Sequence, residues 1–305
     1  MRLPEGILDF EVYKGGINYQ DRTKFYGGSD MPAIVGEDPY KTPLMLWYEK
    51  KGLYVPEQTE QMLIGKEMEK PIINVFKNKT GYIVYDEVPS ATKKPPFELS
   101  LPIIGHADGI VFVDGEPAIL EIKNLNAFNK NWDHYKWQVL LYMWLYNVNR
   151  GMLVILRGGN QLIFEVFDMN EEDLNYMFEM LQKFDYYLRH DIRPDAIGTD
   201  REIDMLMQLQ NYDLEVKLDI DSIVEEYVTL GKEISRLKKE QNKLKALILE
   251  ELEQRKAGIG VTDNYIVKLV KGVRKVKPVL EEKEVEYKQL RVKKRGKDEE
   301  VSDNE

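Results

Sequence analysis

Two apolar runs, residues 103–113 and 118–123, meet at Asp114-Gly115-Glu116. Asp-Gly between such runs favours a tight turn with positive φ, so the pair reads as a β-hairpin. The hairpin carries charge where a buried strand should carry none. Glu121 and Lys123 interrupt Ala118-Ile119-Leu120-Glu121-Ile122-Lys123, and Gly105-His106-Ala107-Asp108-Gly109 breaks the first run. A charge in apolar surroundings must be paired or must coordinate something. Alternate residues of a strand share a face, so Glu121 and Lys123 project together while Ile122 points into the core, and the hairpin can bring Asp108 beside them.

Two carboxylates on a rigid sheet make a hard oxygen site for Mg²⁺ or Mn²⁺. A lysine beside such an ion can orient and help deprotonate a water, while the ion lowers that water's pKa and offsets charge on a phosphate. Phosphodiester hydrolysis is the natural reaction. The same three residues also fit an exposed, salt-bridged strand edge. The absence of cysteine excludes disulfide frameworks, thiolate zinc fingers, cysteine-ligated iron–sulfur clusters and cysteine nucleophiles. His106, His134 and His190 are the only histidines, and none has the spacing of a zinc protease. A net charge of −10 argues against a protein that coats nucleic acid, yet leaves room for an acidic metal site served by a local basic face.

The rest of the chain reads as alternating elements. Gly27-Gly28-Ser29-Asp30 precedes a short apolar stretch, where a Ser or Asp cap leaves backbone N–H groups for an anion. A short helix around Leu44–Trp47 closes at Gly52. A second spans 60–79 despite Pro71, and a strand follows near 82–88. Beyond the hairpin come an amphipathic helix over 132–149, a second hairpin around Gly158-Gly159-Asn160 and a helix over 171–188. The expected class is α/β, a mixed sheet flanked by helices. Leu230, Ile234, Leu237, Leu244 and Ile248 then step by threes and fours, with Gln241 in the missing place, as a coiled-coil seam does. From residue 268 to 297 twelve Lys or Arg accompany four Glu. The expected domains are 1–200, a helical extension 201–257, a small hairpin and basic tail 258–297, and a disordered acidic end 298–305. No apolar run approaches the roughly 18 residues of a membrane span, and the first residues do not resemble a signal peptide, so the expected location is the cytoplasm.

The hairpin resembles the core of the PD-(D/E)xK nucleases. More narrowly, Gly27-Gly28-Ser29-Asp30 with Ile34-Val35-Gly36, then Gly65-Lys66-Glu67-Met68-Glu69, Ala107-Asp108-Gly109, Glu121-Ile122-Lys123 and Gln138-Val139 resemble the YqaJ-like viral recombinase nucleases, relatives of phage lambda exonuclease. The likeness covers about residues 25–190, and the long helix after residue 215 is similar to the C-terminal extension of many such proteins. Ala107 stands where the family name has proline.

This resemblance implies a restriction-endonuclease-like core with Asp108 and Glu121 as metal ligands, the Ile122 carbonyl as a further ligand, and Lys123 positioning the attacking water. It implies that Glu69 supports a second metal, that Gln138 braces the site or touches DNA, and that Ser29 holds a DNA phosphate. No arginine matches a grip on a 5′-phosphate; Arg22 and Lys24, just upstream of the Gly-Gly-Ser turn, are the candidate DNA contacts. The implied activity is Mg²⁺-dependent resection of duplex DNA ends with 5′ to 3′ polarity, feeding a phage-type single-strand annealing protein in the host cytoplasm. A trimeric ring is the implied homo-oligomer. An endonuclease on the same core, and a non-catalytic DNA-binding or assembly scaffold, stay open as alternatives.

Overall fold

The computed structural model describes residues 1–4, 6–15, 22–209 and 219–269. Helices α1 (Met31–Ile34), α2 (Pro43–Lys50) and α3 (Glu60–Thr80) precede the short strands β1 (Val84–Tyr85), β2 (Ala91–Thr92) and β3 (Ile104–Gly105). Strands β4 (Gly109–Val113) and β5 (Glu116–Leu125), helix α4 (Tyr135–Leu145), strands β6 (Arg150–Arg157) and β7 (Gln161–Asp168), and helices α5 (Glu171–Arg189) and α6 (Asp200–Leu209) follow. Helix α7 (Asp221–Gln254) leads to β8 (Ile259–Val261) and β9 (Ile266–Lys268). The described residues fall into two units, one ending at Leu209 and the other beginning at residue 219.

The central sheet has the order β1-β4-β5-β6-β7. Asp114 and Gly115 take φ of 53° and 85°, the double left-handed turn that matches strand twist, so β4 and β5 pair antiparallel from Val113↔Glu116 to Gly109↔Leu120. After β5 the chain crosses through α4 and returns parallel as β6, while β7 closes the second hairpin antiparallel. The expected mixed sheet flanked by helices is therefore borne out. The first apolar run is not one strand. Residues Ile104–Gly105 pair with β2 in a separate two-stranded sheet, and β4 begins only at Gly109. The polar break at 106–108 is where the chain changes sheets.

Period-two alternation sorts β5 onto two cores. Ala118, Leu120 and Ile122 face Ile72, Ile73 and Phe76 of α3, whereas Ile119 joins Val139, Leu140 and Met143 of α4 in the larger core. Helix α3 continues past Pro71. That residue is exposed, so the Glu67 carbonyl it leaves unbonded can meet water. Gly81, at φ 75°, ends the helix in the left-handed conformation.

Helix α6 lies beyond the expected boundary at residue 200 yet belongs to the first unit. Its Glu202 is fully buried, accepts from the Thr42 hydroxyl at the start of α2, and accepts the N–H groups of Ile197 and Gly198 at 2.8 and 2.7 Å. In the second unit, α7 spans the expected seam and β8 pairs with β9. Most of the expected basic tail and all of the acidic end, from residue 270 onward, lie outside the described residues. No described helix is long and apolar enough to cross a membrane.

Candidate active site

Asp108 immediately precedes β4, and the register Gly109↔Leu120 continued by one step sets it opposite Glu121. Directly opposed residues of an antiparallel pair share a face, so the hairpin unites the two carboxylates as the spacing predicts. The backbone N–H of Ile122 donates to Asp108 Oδ2 at 2.8 Å and fixes that carboxylate against the strand. Lys123, two residues beyond Glu121 on the same face, donates to Glu121 Oε1 at 2.5 Å.

Helix α4 completes the group. Gln138 donates to Glu121 Oε1 at 2.6 Å, accepts from Lys123 Nζ at 3.1 Å, and donates to the Tyr142 hydroxyl at 3.1 Å. One amide thus sets the rotamers of both charged residues. The Tyr135 ring lies 4.8 Å from Lys123 Nζ, near enough for a cation–π contact. Nothing in the sequence motifs points to Tyr142, although it follows Gln138 by four residues and so shares its helix face. Its ring presses on two glycines. A Cβ at Gly28 would stand 2.5 Å from the ring, and one at Gly105 would stand 2.8 Å from it.

Burial, and next the charge of Asp108, raises the Glu121 carboxyl to about 8. The same two causes raise Glu69, half-buried on α3, to about 7. Asp108 is likewise raised by burial, against the pull of Lys123 and the Ile122 N–H. Burial alone would lower Lys123, but Glu121 and Asp108 outweigh it and hold the ammonium protonated. Tyr142 stays a neutral phenol because burial, then Glu121, raises it well above its usual range. Glu67, two residues before Glu69 on α3, is exposed.

These residues suit a hard divalent cation. Glu121 Oε2 is buried with no hydrogen-bond partner, and mutually repelling carboxylates await positive charge. Among the described residues no group of three or more His, Asp or Glu is placed to hold a metal ion. The Asp108–Glu121 pair supplies as many carboxylates as an ion such as Mg²⁺, which keeps several waters, takes from a protein.

The expected DNA contacts divide. Ser29 is exposed in the 3₁₀ turn Gly28–Asp30 and accepts from the Arg22 guanidinium, which also reaches Asp30 at 3.3 Å. Lys24 is exposed. Asp30 is wholly buried: it accepts the Gly27 N–H at 2.8 Å and pairs with Lys50 Nζ at 2.7 Å. Lys50 also donates to the carbonyl oxygens of Arg22 and Phe25. Burial would raise Asp30, but Lys50, Arg22 and Lys41 together hold it at about 2. The turn is thus built on a buried ion pair that the sequence pattern did not reveal. His106 is exposed, with Nδ1 3.3 Å from the Ser90 hydroxyl. His134 is buried against the Tyr135 ring at the start of α4. Trp132, Trp137 and Trp144 all pack against the cores, the first two bonding Glu165 and Glu37.

Residues 19–149 match the family described as the YqaJ-like viral recombinase domain. The likeness read from the motifs is borne out over that span. The uncharacterized protein YqaJ of Bacillus subtilis (strain 168) is 28% identical over 171 residues, 52% of this chain and 51% of that protein. The chain therefore spans about half the length of the curated relative it matches. An alkaline exonuclease from Laribacter hongkongensis is similar at 15% identity and a TM-score of 0.43, covering 56% of this chain and 91% of that one. A phage related exonuclease from Haemophilus somnus 129PT is similar at 14% identity and a TM-score of 0.39, covering 55% and 95%.

Proposed function

Taking residues 19–149 as a domain of the YqaJ-like viral recombinase type, we propose that this chain is a metal-dependent deoxyribonuclease. It would resect double-stranded DNA ends in the 5′ to 3′ direction and pass single strands to an annealing recombination protein in the bacterial cytoplasm. The catalytic part would be the expected domain 1–200 together with α6, which packs with it, and the rest of 201–257 would be an extension.

The observation that carries this reading is the convergence of Asp108, Glu121, Lys123 and Gln138, with one buried Glu121 oxygen left unpartnered. Asp108 and Glu121 would hold Mg²⁺ or Mn²⁺, with the Ile122 carbonyl as a further donor and Glu69 supporting a second ion. When bound, the metal supplies Lewis acidity that lowers the pKa of a neighbouring water and offsets phosphate charge. Lys123, held protonated by its two carboxylates, would donate a hydrogen bond that orients the attacking water. Gln138 would keep Lys123 and Glu121 in register with each other. Arg22, with Ser29 beside it, would face a DNA phosphate, and exposed Lys24 would add charge to the same approach.

The test is digestion of linear, nicked and closed circular duplex DNA with Mg²⁺ or Mn²⁺, with Asp108→Ala and Lys123→Ala as controls. Loss of linear DNA alone, abolished in both variants, is the expected result. Cleavage of closed circles would move the reading to an endonuclease. Inactivity of the wild type, or activity that survives both substitutions, would overturn the catalytic assignment.

A further inference from the structure

In place of the trimeric ring that the resemblance implies, we infer that α7 is a self-association element: two copies of this chain pair through it, parallel and in register, as a two-stranded coiled coil. The helix has 34 residues, of which Leu252 alone is buried. At 1.5 Å per residue it is about 50 Å long. Helices draw most of their stability from packing an apolar face, and among the described residues that face is exposed. Tyr227, Leu230, Ile234, Leu237, Leu244 and Ile248 are 45–64% exposed.

The seam also says what should cover it. In heptad terms Leu230, Leu237 and Leu244 occupy d, while Ile234 and Ile248 occupy a. β-Branched residues at a with leucine at d favour two parallel strands, and a lone polar residue at a fixes the register. Gln241 is that residue.

Charge selects both partner and direction. The g positions before the seam hold Glu233 and Glu240, and the e positions after it hold Lys238 and Lys245. A parallel in-register pair brings each g residue to the e residue five places on in the other copy. Glu233 then meets Lys238, and Glu240 meets Lys245, twice each by symmetry. An antiparallel pair would oppose g to g and e to e, placing Glu near Glu and Lys near Lys. All four residues are exposed, and the competing contacts of Glu233 and Glu240 to Arg236 are surface pairs within one helix, of small individual weight.

The test is sedimentation of the full chain at micromolar concentration. The wild type should show twice the 35.8 kDa chain mass. Glu233→Lys with Glu240→Lys should reduce it to one chain, and adding Lys238→Glu with Lys245→Glu should restore two. Tryptophan fluorescence, which reports only on the first unit, should be the same in all three proteins. The chain lacks cysteine, so Ile248→Cys near one end of the helix should give a disulfide-linked pair on oxidation only if the helices run parallel. A single chain throughout the micromolar range overturns the inference. So does a dimer or trimer whose mass ignores charge reversal, or an Ile248→Cys dimer that does not cross-link. None of these outcomes bears on the proposed nuclease activity.

Discussion

Replacing Asp30 by Asn removes the negative half of the ion pair beneath the Gly-Gly-Ser turn while keeping its shape. Asp30 is 0% and Lys50 1% exposed, so water cannot take over the role of the lost carboxylate. Removing one partner of a buried pair costs about 3–5 kcal/mol in general. The structure gives a second figure. Converted at about 1.4 kcal/mol per pH unit, the gap between the usual 3.8 and about 2 amounts to about 2 kcal/mol. Asp30→Asn is therefore expected to cost about 2–5 kcal/mol at neutral pH. Because the folded-state pKa is depressed, this stabilisation is present above 3.8 and lost as pH falls through about 2. The difference between wild type and variant should hold steady from pH 7 to 5 and shrink by about 2 kcal/mol as the pH approaches 2. Urea unfolding followed by tryptophan fluorescence at stepped pH measures it, since Trp47, Trp132, Trp137 and Trp144 all lie in the first unit. A cost below about 1 kcal/mol at pH 7, or a difference that does not narrow in acid, would refute the buried ion pair as the anchor of the turn.

Three further outcomes follow from the site. Gly28→Ala drives a Cβ into the Tyr142 ring, so it should cost about 1–3 kcal/mol in denaturant titration and lower nuclease activity by displacing the hydroxyl that Gln138 bonds; a neutral variant would mean that the ring moves freely. Gln138→Leu should reduce divalent-metal affinity or activity about 10–100-fold while the fold persists by circular dichroism, and unaltered kinetics would show that Lys123 and Glu121 need no brace. Mn²⁺ should raise the Tm of the wild type, by about 2.7 kcal/mol of added stability at one hundred times its Kd. Asp108→Ala should abolish that rise, and an equal rise in the variant would place the ion elsewhere.

Features decided within a few residues were legible in the sequence. Asp114-Gly115 specifies its turn through backbone φ alone, and the alternation from Ala118 to Lys123 places Glu121 and Lys123 together, because both depend on local geometry. The helical periods of α3, α4 and α5 were equally plain, though their exact ends were not. Only the tertiary structure decided the rest. The run from 103 to 113 splits between two sheets because β3 finds its partner in β2, a choice that hydrophobicity cannot express. Asp30, which reads as a cap, and Lys50 stand twenty residues apart, and nothing in the sequence pairs them until folding excludes water from both. Glu202 binds Thr42 across 160 residues and draws α6 into the first unit. Tyr142 becomes part of the site only because Gly28 and Gly105, from distant segments, leave room for its ring. Backbone preference is a property of neighbours along the chain, whereas the burial and pairing of a charge depend on which remote segments close over it.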